Sequence, residues 1–75
     1  MLPANLNTDQ LSRAVQGFLT ITSITWDAPS GAAVRICGQL LVPSHEAYRR
    51  LEPFAAQHGC VLRLRRDGDE ACFEL

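Results

Sequence analysis

The closing segment, Cys60 to Leu75, constrains the fold more than any other part of the chain. Two strand-like runs, Cys60 to Arg66 and Ala71 to Leu75, flank Asp67-Gly68, a dipeptide suited to the tight two-residue turns that match strand twist. Pairing Arg66 with Asp69 sets Leu64 opposite Ala71, Leu62 opposite Phe73 and Cys60 opposite Leu75, all on one face. The other face then receives Arg65 opposite Glu70, an attractive cross-strand pair worth a few tenths of a kcal/mol. Turn, apolar face and charge agree on one register, and the apolar face needs a cover.

The preceding segment supplies that cover. Ser44 is a good N-cap and Glu46 falls in the first turn, where a helix dipole favours an acid. The helix is expected from His45 to about His58, because Ala47, Tyr48, Leu51, Phe54, Ala55 and His58 recur at three- and four-residue spacing. Pro53 removes one hydrogen bond and crowds the previous turn, which predicts a kink near Arg49 to Glu52 with the helix continuing, because the apolar stripe carries on in phase beyond it. Gly59 is placed to end the helix.

Upstream, Leu2 to Thr8 reads as an extended arm, and Thr8 as the cap of a short helix with Asp9 in its first turn. Leu11, Ala14, Val15 and Phe18 form its small apolar stripe, and Gly17 ends it. Leu19 to Trp26 is rich in β-branched residues and reads as a strand. Ile21 and Ile24 have opposite parity, so either a bulge resets the phase or both faces are partly covered. Asp27 to Gly31 holds turn residues, and Ala33 to Leu41 is the next strand. There Val34, Ile36, Gly38 and Leu40 share one face, and Arg35, Cys37 and Gln39 the other.

A chain of 75 residues hides only about 60% of its unfolded surface, so it supports one sheet and a helix or two. The expected architecture over residues 1–75 is a single α+β domain. It is a four-stranded, largely antiparallel sheet with one main helix and a short N-terminal helix on one face. If the second and third strands are neighbours, the helix between them makes them parallel.

Seven arginines face eight acidic residues for a net charge of −1, so no basic excess marks a nucleic-acid binder. Arg63 and Arg65 alternate on one sheet face, and Arg35 can join them from the neighbouring hairpin. That face is the candidate interaction surface, for an acidic peptide or sibling domain, or, with Trp26 as a stacking group, for single-stranded nucleic acid. Cys37, Cys60 and Cys72 are too widely spaced for a zinc site and odd in number, which predicts three ordinary thiols in a reducing compartment, with a single disulfide or a surface reactive cysteine as the alternatives.

Other chemistry finds no support. His45-Glu46 opens like a zinc-protease motif, but Arg49 occupies the second ligand position. Cys60 and His58 lack an orienting third group. The acidic run Asp67, Asp69 and Glu70 is too short for a calcium loop. The chain is expected to carry no catalytic residue and no metal or cofactor of its own.

Three runs, Gly38-Gln39-Leu40-Leu41, Glu46-Ala47-Tyr48-Arg49-Arg50-Leu51 and Gly59 to Gly68, together carry a family likeness. Over Thr20 to Leu75 the chain resembles the soluble domain that precedes the membrane portion in site-2-protease-like intramembrane zinc metalloproteases. Cys60 departs from that pattern, which often has an aromatic there. The resemblance implies a non-catalytic accessory domain of a longer membrane protein, with a role in regulation or in substrate or partner docking. Zinc and the catalytic motif would lie downstream, and the partner would be the membrane-embedded protease domain in cis. The implied location is the cytoplasmic side of a membrane protein. A free-standing cytoplasmic protein-interaction or single-strand-binding module is the alternative.

Overall fold

The computed structural model describes residues 7–75, and the part of the expected N-terminal arm before Asn7 lies outside them. Its elements are α1 (Thr8–Ala14), β1 (Leu19–Trp26), β2 (Val34–Leu40), α2 (Ser44–Gln57), β3 (Arg63–Asp67) and β4 (Glu70–Glu74). The four strands form one antiparallel sheet, the α+β arrangement expected.

The cap of α1 is one residue earlier than the sequence suggests. Asn7 accepts from the Gln10 backbone N–H at 3.0 Å, and the Gln10 side chain accepts from the Asn7 N–H at 3.1 Å. This reciprocal box satisfies two helix-end donors together, which a Thr8 cap would not. Leu11, Val15 and Phe18 are buried below it.

In β1 a bulge accounts for the irregular alternation. The register passes from Ile21 opposite Gly38 directly to Ser23 opposite Cys37, leaving Thr22 as the extra residue. Ile21 and Ile24 therefore both reach the core side despite their opposite parity. Gly38 makes this bend feasible. A Cβ there would run into the Thr20 carbonyl oxygen, and would lie 2.8 Å from its carbon and 3.0 Å from Ile21 Cα.

The strand order is β1-β2-β4-β3, so β2 and β3 are separated by β4 and the parallel pairing conditional on their being neighbours does not arise. Composition explains the placement. β4 is buried along residues 71–75 and fits only a central position, whereas β3 carries Arg63, Arg65, Arg66 and Asp67 and protects an edge. A single core of Leu11, Val15, Leu51, Ile36 and Phe73, with Ala47 and Ala55, fills the space between the helices and one sheet face. Phe18 and Phe73 meet there edge to face, with ring centroids 6.4 Å apart.

α2 begins with Ser44 already helical, and the Pro43 carbonyl receives the Glu46 and Ala47 N–H groups. Ser44 is thus not the N-cap, and no side chain caps this end. The helix continues through the exposed Pro53, because Leu51 and Ala55 on either side are locked in the core. Tyr48 ties the helix to the start of the last hairpin by donating to the Leu62 carbonyl at 3.2 Å. Pro53→Ala restores an N–H without touching the core and should raise unfolding stability by about 1–3 kcal/mol in a urea titration.

The last hairpin keeps the expected faces but not the expected register. Asp67 pairs with Glu70, Arg66 with Ala71 and Leu64 with Phe73. The loop is Gly68-Asp69, with Gly68 at φ 64° in its first position, as a type II′ turn requires, and Asp69 not at positive φ. An Asp67-Gly68 loop of type I′ would instead force Asp67 to positive φ. The shift is of two pairing steps, so Leu62, Leu64, Phe73 and Leu75 still face inward. Arg65 no longer opposes Glu70: it stands opposite Cys72.

Candidate interaction surface

Because the helices cover one face, the other face of the sheet is assembled entirely from alternate strand residues. Reading across β1, β2, β4 and β3, one row is Thr25, Arg35, Glu74 and Arg63. The next is Ser23, Cys37, Cys72 and Arg65. Thr25, Ser23, Arg63 and Arg65 are exposed, so the face is open to solvent.

All three sequence-derived residues, Arg35, Arg63 and Arg65, lie on this face, and the structure adds a carboxylate at its centre. Glu74 is buried at 2% exposure. Its Oε2 accepts from Arg35 Nη2 at 2.8 Å, Arg35 Nε at 3.0 Å and Ser30 Oγ at 2.6 Å. Arg65 Nε lies 3.7 Å from Oε1. Arg63 faces Glu74 in the register and makes no ion pair among the described residues. A buried carboxylate is costly unless paired and hydrogen-bonded, and here it is both. Arg35 is thereby fixed, while Arg63 and Arg65 project from a rigid base.

The Ser30 hydroxyl and then Arg35 hold the Glu74 carboxyl below the ordinary glutamate range, against the opposing effect of burial. The unfolded chain therefore binds this proton at a higher pH than the folded one. Its stabilisation is fully present above the ordinary glutamate pKa of about 4.3 and disappears as pH falls through the lower native value. Glu74→Gln should flatten that part of a stability-against-pH profile measured by urea unfolding between pH 2 and 6. A profile unchanged by the substitution would mean the carboxylate is not held in this network.

Around this centre the charges alternate. Glu70 and Asp67 lie on the same face, and Glu70 Oε2 is 2.6 Å from Thr22 Oγ1, the bulge hydroxyl. Trp26 is not part of the surface. Downstream of the bulge it pairs with Val34 and takes that residue's side of the sheet, opposite the arginines. The stacking partner foreseen for nucleic acid is therefore on the wrong face.

Cys37 and Cys72 stand directly opposite each other and form a disulfide, leaving Cys60 as the free cysteine. This corrects the expectation of three thiols and removes its argument for a reducing compartment. Sequence reasoning placed Cys37 and Arg35 on the outer face, but the link to Cys72 and Glu74 requires knowing that β2 pairs with β4. Once that pairing is known, both partners follow from parity.

At one end of the sheet a groove of about 330 Å³ runs between residues 30–33 and 59–61, with Arg63 and Glu74 on its walls. The Cys60 thiol in it is directed at the His58 carbonyl at 3.5 Å, while the His58 ring packs on Phe54 with centroids 4.5 Å apart. Thiol and imidazole are thus not arranged as nucleophile and base. Among the described residues no three His, Cys, Asp or Glu side chains are grouped to hold a metal, and no helix is long and apolar enough to cross a membrane. Comparison with protein-family models, with curated proteins and with solved structures gave no match.

Proposed function

We propose that the chain is a non-catalytic accessory domain that docks a protein partner through the outer face of its sheet. The observation that carries this reading is the open face itself. Arg63 makes no ion pair among the described residues, and Arg65 stays exposed with only a long contact to the carboxylate that Arg35 holds, so both can pair with acidic groups of a partner. The sequence resemblance supplies the setting, a site-2-type intramembrane zinc metalloprotease whose membrane-embedded domain is the partner in cis. Zinc would be held there, by residues outside this chain.

The balance of signs argues against single-stranded nucleic acid. Such binders combine a positive groove with exposed aromatic platforms. Here Glu70, Glu74 and Asp67 are interspersed with the arginines, and the single tryptophan is on the other side.

Two experiments test the proposal. The reading frame should continue after Leu75 into apolar segments of about 20 residues, one with His-Glu-x-x-His; a stop codon there rejects the protease setting. The isolated domain, isotope-labelled, is then titrated with the detergent-solubilised membrane portion. Amide shifts should concentrate on the two outer rows and fall at least tenfold in apparent affinity in Arg63→Glu/Arg65→Glu. Shifts centred on α2 would reject the sheet face as the docking surface.

A further inference from the structure

We propose that the Cys37–Cys72 disulfide is a thiol–disulfide exchange site, opened by a dithiol reductant from the outer face of the native sheet. The seam between the two hairpins is thereby redox-sensitive. This inference stands apart from the docking proposal and needs no partner.

Among the described residues, the bond sits in the only ladder that joins β1-β2 to β3-β4. In its row the order is Ser23, Cys37, Cys72, Arg65, so the S–S bond bridges neighbouring strands, with the bulge residue Thr22 next to Ser23 donating to the Cys37 carbonyl at 3.1 Å. An attacking thiolate must approach in line with the bond it breaks. Beyond Cys37 lies Ser23, small and exposed. Beyond Cys72 lies Arg65, a long side chain drawn towards Glu74. The open approach is therefore to Cys37 Sγ, although both sulfurs belong to residues only 7–8% exposed.

The chemistry runs in two displacements. The reductant's thiolate bonds to Cys37 Sγ, the Cys37–Cys72 bond breaks, and Cys72 leaves as a thiolate. Arg65 stands opposite Cys72 in the register, so a cationic residue neighbours the strand position of the leaving group. The reductant's second thiolate then attacks its own sulfur in the mixed disulfide and releases Cys37. The dithiol loses two electrons and two protons and closes to a disulfide, and Cys37 and Cys72 gain both. The next pair along the same ladder and face is Arg35 with Glu74, so loosening the seam reaches the centre of the charged network.

The test uses the whole chain without denaturant. Dithiothreitol is added at several concentrations, samples are alkylated, and peptide mapping follows the new thiols at Cys37 and Cys72 separately from Cys60. The rate should rise in proportion to dithiothreitol. Glutathione, a monothiol, should leave its adduct on Cys37. Ser23→Tyr should slow reduction at least tenfold and Ser23→Thr by less, with urea midpoints close to the parent's. A rate independent of dithiothreitol and equal to the global unfolding rate would overturn the inference. So would an adduct on Cys72, or a Ser23→Tyr variant of unchanged midpoint reduced at the parental rate.

Discussion

Gly38→Ala is expected to lower unfolding stability by about 3 kcal/mol or more, the upper range for overpacked sites. The reason is what the new methyl group would meet. Its obstacle is the Thr20 carbonyl and the Ile21 Cα, main-chain atoms of the adjacent strand rather than the end of a movable side chain. Relief requires β1 to lift away from β2 at the bulge, which breaks ladder hydrogen bonds and withdraws Ile21 from the core. Gly38 is not at positive φ, so the effect is purely one of space. Urea unfolding monitored by far-UV circular dichroism measures it. A loss below 1 kcal/mol would show that β1 does not close onto this glycine.

The second large effect is expected from Cys37→Ser/Cys72→Ser. The two cysteines are 35 residues apart in sequence, and closing a loop of that size in the unfolded chain corresponds to about 4 kcal/mol in the chain-entropy treatment. A domain of 75 residues has a total stability of about 4–11 kcal/mol. The double variant should therefore lose about a third or more of that stability, with a urea midpoint lower by roughly 2 M or more. Cys60→Ser, which removes no cross-link, should change the midpoint far less. Equal midpoints for the double variant and the parent would mean the covalent bond does not hold the seam.

What could be read from the sequence was local parity. Leu62, Leu64, Phe73 and Leu75 were assigned to the inner face and Arg35, Arg63 and Arg65 to the outer one, because side-chain alternation survives even a two-step slip in pairing. The slip itself turned on which residue takes positive φ, and either Asp67-Gly68 or Gly68-Asp69 is a reasonable loop by composition. The Asn7 cap and the uncapped start of α2 were each missed by one residue, since neighbouring polar residues compete for the same role.

The strand order was beyond local reasoning. It depends on burying β4 from both sides and leaving charged β3 at an edge, a preference that exists only once all four strands are compared. Glu74 and the Cys37–Cys72 bond followed from that order, so both were missed together. Glu74, between Phe73 and Leu75 in sequence, is the buried anchor of the candidate surface.

The most direct test of this arrangement is solution NMR of the oxidised domain with a soluble paramagnetic agent, combined with cross-strand nuclear Overhauser contacts. The signals of Ser23, Thr25, Arg63 and Arg65 should be strongly attenuated, those of Ile36, Leu51 and Phe73 spared, and the Leu64 and Phe73 α-protons, a non-hydrogen-bonded pair, should be in contact. Contacts from Ala47 or Leu51 to Cys37 or Cys72, with the arginines shielded from the agent, would place the helices on the face described as open and contradict it.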